Sequence, residues 1–453
     1  MAASGGLMFG YDVGISGGVT SMPHFQKKFF PAVYRKTQEP GLESNYCKYE
    51  NQGLQVFTSS LYLAALISTF IASNTFSCLS LGGSCLVVEL VLLTRQLRFS
   101  FRKLHQQEVE GHLTSSSNSI NITIGILFAN FINYGTNKIT GEYGWRVSLG
   151  LAGIPAGLLT LWSLVVVDTP NSLIERGKLE EGKAVLKRIR GVDNVDPEFL
   201  EIVEASRVAK EVKNPFQNLL KRRNRPQLVI AVMMQVFQQF TGINAVMFYA
   251  PVLFQTLGFK SDASLYSAVI TGAVNVLSTV VLIYFVDKAG RRVLLLEAGV
   301  QMFLSQLVVA IVMGLRVQDN SNNLTPGLAI LVVVMVSSFV SSFAWFWGPL
   351  GWLIPSETFP LEARSAGQSV AVCINMFFTF IIAQAFLSML CHMKFGIFLF
   401  FTAWVLVMTT FAMFLIHETK HVPIEEMIER VWKQHWFWKR FMGDFEDDRK
   451  AYA

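Results

Sequence analysis

The chain has 453 residues, of which 52% are hydrophobic and 15% charged, with a mean hydropathy of +0.41. Soluble globular domains carry about 25% charged residues, and a chain this apolar would expose patches it could not keep in water. The hydrophobicity excludes a disordered chain, and the net charge of +6 reads as the basic loops of a membrane protein rather than a nucleic-acid surface. The composition therefore points to an all-α, polytopic membrane protein.

Met1–Val19 is apolar but broken by Asp12 and several glycines, and no cleavable signal peptide is evident. A spanning helix needs about 20 apolar residues. In chain order the candidates are Leu54–Ala72, Ile120–Tyr134, Val147–Val167, Leu228–Leu257, Leu265–Val286, Leu294–Leu315, Leu328–Ile354, Ser365–Leu390 and Phe395–Ile416. These divide into an N-terminal bundle (1–167) and a C-terminal six-helix bundle (227–416), with an outer lid region at 20–53. Residues 168–226 are polar, rich in both charges and end in Lys221-Arg222-Arg223-Asn224-Arg225, which predicts a cytosolic linker of short amphipathic helices. Beside a span, such a basic run faces anionic lipid or fixes orientation. Counting spans from that linker places 287–292, 355–364 and the tail 417–453 inside, and 320–326 and Cys391 outside, so every basic loop is cytosolic. The sequon Asn323-Leu324-Thr325 then lies outside, while Asn121-Ile122-Thr123 sits at a span. Five cysteines are too few for a disulfide scaffold and fit no metal spacing, so by themselves they read as reduced thiols. No nucleophile–base pair, metal cluster or phosphate loop stands out, and no enzyme is expected.

Polar groups inside a bilayer are costly and mark candidate sites. Gln235, Gln238 and Gln239 share one helix face at spacing i, i+3, i+4, with Asn244 beyond, and Asn275 and Asn375 sit in two further spans. Trp345, Trp347 and Trp352 surround a Gly348-Pro349 break. Amides offer donors and acceptors together, and indoles stack on apolar sugar faces, a mixture that suits a neutral polyhydroxy ligand better than an ion. The competing reading is interhelical bonding, which favours any one amide taken singly but not six with a Trp-lined break. Asp12 reads either as a buried proton acceptor or as the end of a short segment.

The motifs GGLMFGYDVGISGGV (Gly5–Val19), DTPNSLIERG (Asp168–Gly177), QQFTGINAVMFY (Gln238–Tyr249), DKAGRR (Asp287–Arg292) and GPLGWLIPSETFP (Gly348–Pro360) occur in this order. Together they resemble the sugar porters of the major facilitator superfamily, and among these the plant hexose/proton symporters. The resemblance covers residues 1 to about 75 and 121 to the end. It implies two six-span halves rocking around a midplane sugar site. It implies hexose contacts at Phe9, Gln238, Gln239, Asn244, Asn275, Gly348, Trp352 and Asn375, a proton-binding carboxylate at Asp12, and a disulfide between Cys47 and Cys391 that ties the lid to the C-terminal half. No cofactor or metal is implied; the implied partners are a hexose such as glucose, protons and the lipid bilayer, with no nucleic acid, in a multi-pass protein of the plasma membrane.

Two departures stand against that pattern. Met1–Ser16 is expected to be too short for a full first span. Residues 74–120 do not follow the family: the third span is missing, Leu81–Thr94 is only a short apolar run that should not cross, and His105–Asn121 is polar. Read one base earlier, suitable codons for Leu81–Gln96 and Leu104–Thr114 spell the family's fourth span and the loop after it. A skipped segment followed by a local frame error accounts for both. Gly83 then stands near the place of the arginine that pairs with the proton carboxylate, and Asn118 or Ser119 near that of a sugar-binding glutamine. The expected activity is monosaccharide–proton symport, impaired in this chain. The alternatives are an uncoupled facilitator, a sugar sensor, or a product without function.

Overall fold

The computed structural model describes residues 2–38, 44, 46–74, 108–139, 143–157, 161, 170–191, 194–211, 215–256, 261–316, 325–418 and 427–442. The described residues contain helices and turns and no strand. Gly83, the run Leu81–Thr94, Asp168 and the sequon at Asn323 lie outside them.

The first helix, α1 (Ala2–Ser21), does not stop at Ser16 as the sequence suggested. It is 20 residues long, about 30 Å, because its glycines pack rather than break it. Short helices α2 (Pro23–Phe29) and α3 (Pro31–Gln38) follow in the lid region, and α4 (Gln52–Asn74) contains the expected second span. The next helix, α5 (Glu108–Thr136), begins well before Ile120, so the helix extends into the polar stretch His105–Asn121. α6 (Gly144–Leu151) opens the next apolar segment. The α1–α5 contact is made almost backbone to backbone. A Cβ on Gly10 would strike the Ile122 carbonyl, one on Gly125 the Leu7 carbonyl, and one on Gly14 the side chain of Ala129. Small residues four apart allow this approach in a bilayer, where apolar side chains gain nothing by leaving lipid.

The polar linker folds into α7 (Pro170–Glu175), α8 (Leu179–Arg190), α9 (Asp196–Glu211) and α10 (Pro215–Leu220). Gly191, at φ +68°, ends α8. The segment Leu228–Leu257 is two helices rather than one: α11 (Arg225–Phe240) and α12 (Ile243–Thr256) meet at Thr241-Gly242. Gly242 has φ +82°, a conformation in which other residues are strained. Five further apolar passages follow. The first four are α13 (Ser261–Ala289), α14 (Arg291–Arg316), the pair α15 (Pro326–Ser342) and α16 (Gly348–Thr358) joined by a wide π turn at Phe343–Trp347, and α17 (Leu361–Met393). The last is α18 (Gly396–Leu415). Among the described residues, six helical stretches are long and apolar enough to cross a membrane, and all six lie between Arg222 and Leu415.

Among the described residues, three of the seams between the two halves are built as follows. α4 lies on α17, where Gln55 bonds Ser388 (3.1 Å) and Ser59 Oγ donates to Gln384 Oε1 (2.7 Å). α1 lies on α12, with Gly17 against the Phe248 carbonyl. α5 lies on α13, where Asn130 Nδ2 donates to Ala268 O (3.2 Å). At the same end, Cys47 and Cys391 are joined by a disulfide with Cα atoms 4.4 Å apart. At the opposite end Glu418 accepts from the first amides of α14, Arg291 N (2.9 Å) and Arg292 N (3.1 Å), and Arg291 pairs with Glu357 (3.1 Å). A carboxylate there satisfies donors that a helix start leaves unpaired.

Candidate functional site

A cluster of polar groups forms where α11, α16 and α17 converge, and one proline supplies part of its cause. Pro355 has no N–H, so the carbonyl of Gly351, four residues earlier, loses its helical partner. Gln235 on α11 takes that vacancy: its Nε2 donates to Gly351 O at 2.7 Å. One turn on, Gln238 Nε2 donates to Gly348 O at 3.1 Å. Both glutamine oxygens face Asn375 of α17, whose Nδ2 donates to Gln235 Oε1 (2.7 Å) and Gln238 Oε1 (2.9 Å). Thr379 Oγ1 donates to Asn375 O (2.8 Å), tying the asparagine's own turn. Gln235, Gln238 and Asn375 are all buried.

The remaining amides are arranged differently. Gln239 and Asn244 bond to each other across the Thr241-Gly242 break. Asn275 of α13 points to the Met247 sulfur at 4.0 Å. Trp352 is half-buried beside the cluster on α16. Phe9 of α1 meets Tyr62 edge-on at 6.5 Å, and Tyr62 stacks on Phe248 of α12 at 5.0 Å, so an aromatic chain links the halves. Asp12 is half-buried on α1, near enough to Tyr11 and Tyr62 to interact electrostatically with both. Tyr249 Oη donates to Ala383 O (3.0 Å), holding the kink that Pro251 puts in α12.

Gln235, Gly348 and Gly351 thus form with Gln238 and Asn375 one closed ring of hydrogen bonds. Gln235 is visible in the sequence as part of the glutamine face. The Gly351 carbonyl is not, although the proline four residues later is its signal. Chemically, each primary amide can exchange an internal bond for one to a hydroxyl without changing charge. A ring of this kind is stable when empty and can open around a neutral polyol.

An apolar helical bundle with broken helices lined by buried amides is the architecture of a membrane transporter. Its backbone matches the proton:xylose symporter XylE bound to 6-bromo-6-deoxy-D-glucose, with a TM-score of 0.69 at 22% identity, covering 94% of this chain and 97% of that one. The family described as "Sugar (and other) transporter" matches residues 1–97 and 107–432, and the chain belongs to it. That match extends into the window 74–120, further than the motifs alone suggested. Similar chains include Sugar transport protein 13 of Arabidopsis thaliana, 64% identical over 477 positions, covering 99% of this chain and 90% of that protein. Sugar transport protein MST4 of Oryza sativa subsp. japonica is 65% identical over 473 positions, covering 98% and 91%. Both alignments are longer than the chain itself, so these relatives carry residues it lacks.

Proposed function

We propose that the protein moves a hexose such as glucose across the plasma membrane, coupled to protons, by alternating exposure of a site between residues 1–167 and 227–416. The observation that carries this reading is the ring of Gln235, Gln238 and Asn375 closed on the Gly348 and Gly351 carbonyls. In it, Gln238, Gln239, Asn244, Asn275, Gly348 and Asn375 bind sugar hydroxyls, and Phe9 and Trp352 cover its apolar faces. Asp12 carries the proton, being a half-buried carboxylate on α1, where an ionisable group is costly unless it functions. The similarity to chains named sugar transport proteins supports the substrate class. Cys47–Cys391 holds the lid, and residues 168–226 and 417–453 face the cytosol.

A second reading concerns this chain alone. Relatives carry residues missing here, and 74–120 departs from their pattern, so transport by this sequence is weak or absent. The test is uptake of labelled glucose in a yeast lacking its own hexose transporters. We expect little uptake from the chain as it stands. A chimera whose residues 75–119 are replaced by the corresponding segment of a relative is expected to recover uptake that an uncoupler abolishes. In that chimera Asp12→Asn should remove the pH dependence while sugar binding persists. A chimera that transports xylitol but no hexose, or that ignores Asn375→Ala, would overturn the site. Robust uncoupler-sensitive uptake by the unmodified chain would overturn the impairment.

A further inference from the structure

The linker contains two kinds of charged surface. On α8 and α9 the charges neutralise one another: Lys178 pairs with Glu181 (3.0 Å), Lys183 with Asp196 (2.6 Å), Arg190 with Glu198 (2.6 Å) and Arg207 with Glu204 (2.6 Å). The Lys183–Asp196 bond pushes the lysine's pKa up and the aspartate's down, so each holds the other charged. From Lys221 the pattern changes. Lys221, Arg222, Arg223 and Arg225 are all exposed, and none forms an ion pair among the described residues.

The tail adds to this surface. Beyond α18 the chain returns across the helix end in a 3-10 turn at Trp438–Phe441. Trp438 Nε1 donates to Leu415 O (2.8 Å) and Trp436 Nε1 to Phe414 O (3.3 Å), so two indoles satisfy carbonyls that the end of α18 leaves unpaired. Trp432 is buried against Gln227, whose amide oxygen accepts from its Nε1 (3.2 Å) when both ends of that amide are satisfied. Arg222 Nη2 then donates to the Arg440 carbonyl (2.7 Å), joining linker to tail. Lys439 and Arg440 are exposed there and likewise form no ion pair among the described residues. Six cations thus share one patch, at the start of the membrane-crossing stretch from Arg222 and the end of the one at Leu415. Phe216, Leu220 and Trp436 are exposed around it.

We propose that this composite patch docks a membrane lipid whose headgroup carries several phosphates. A signal that merely orients the chain needs positive residues in the sequence and no folded tail. Here buried tryptophans bring Lys439 and Arg440 to a run already basic, which concentrates charge at one point of the headgroup layer. Singly charged lipids do not match that concentration, whereas a multiply phosphorylated inositol headgroup does. The exposed Trp436 sits as aromatic side chains do at the bilayer interface.

The test uses the full chain in nanodiscs of phosphatidylcholine, alone, with phosphatidylserine, or with bisphosphorylated phosphatidylinositol at matched total charge. Binding is read by thermal unfolding and by retention of a fluorescent lipid. We expect stabilisation by the phosphorylated lipid that fades with salt, and little at matched phosphatidylserine. Replacing Arg222, Arg223, Lys439 and Arg440 by Gln should weaken binding by about fivefold per charge removed. Trp438→Ala removes no charge but undocks the tail, and should lose as much as removing the two tail cations. Equal stabilisation by phosphatidylserine, an unchanged affinity in the glutamine variant, or an unchanged affinity in Trp438→Ala each overturns the proposal. So does soluble inositol phosphate binding as tightly as the lipid, which would place the ligand outside the membrane.

Discussion

The two halves of the molecule differ in what makes their tightest described helix contacts. In the C-terminal half, contact is made by what side chains offer: glutamine and asparagine amides, indole N–H groups, and a hydroxyl pair such as Ser278–Ser341 at 2.9 Å. In the described N-terminal half, α1 and α5 touch closest where Gly10, Gly14 and Gly125 have no side chain, with Asn133 Nδ2 donating to Gly14 O (3.1 Å) beside them. Both are solutions to the same problem, because lipid removes the hydrophobic incentive for helices to associate. Amide contacts can be exchanged for a ligand's hydroxyls. Glycine contacts cannot be exchanged for anything, and suit a helix that must stay close to its neighbour while carrying Asp12.

This contrast predicts unequal sensitivity to substitution. Gly10→Leu puts atoms into the Ile122 backbone, which cannot yield, and should cost more than about 3 kcal/mol. The expected result is failure to recover folded protein in detergent size-exclusion chromatography; a normal profile would remove the distinction between the halves. Reduction or Cys47→Ser should destabilise by roughly 2–5 kcal/mol, seen as a lower thermal midpoint with the same elution volume. Asn375→Ala strips two amide oxygens of their donor and should cost about 1–3 kcal/mol. It should also abolish sugar-dependent thermal stabilisation, whereas an equally stable variant that still responds to hexose would separate the ring from recognition.

The smallest effect concerns the tail. His435 is buried, and its Nδ1 accepts from Phe437 N (3.2 Å) and Trp438 N (3.4 Å). Burial first, then the neighbouring His417, holds its pKa below the usual 6.5. His417 is lowered in the same sense, by burial and by Arg292. A depressed histidine favours the docked tail fully while both docked and free forms are neutral, above about 6.5. Docking therefore weakens as pH falls below that value toward the lowered one. The protection factors of amides in residues 427–442, with exchange corrected for its intrinsic dependence on pH, should fall between pH 7.5 and 5.5, and His435→Gln should flatten the change. Protection that rises as the pH falls would reverse the sign and refute it.

Much of the bundle was readable in advance because hydropathy reports burial in lipid directly. Each candidate span from Leu265 onward coincides with a helical passage, Leu328–Ile354 with the pair α15 and α16. The break at Thr241-Gly242 was not readable, since an apolar run shows no sign of a left-handed residue within it. The helical start of α5 is not marked by hydropathy, because Glu, His and Ser dominate 108–119. Gln235 and Gln238 were marked by spacing, and Asn375 by its cost in a span. That these three close on Gly348 and Gly351, while Gln239 turns to Asn244 and Asn275 to Met247, depends on helix rotation that no local pattern encodes. The tail was the least legible part: its short, Trp-rich turns become ordered only through the exposed ends of α11 and α18.

The bridge between Cys47 and Cys391 spans 344 positions of sequence. Most of the protein is therefore a single covalent ring with two short free ends. A protease that cuts the linker once will open this ring without dividing it. The cut protein should migrate as one species on a denaturing gel until a thiol is added, and as two fragments afterwards.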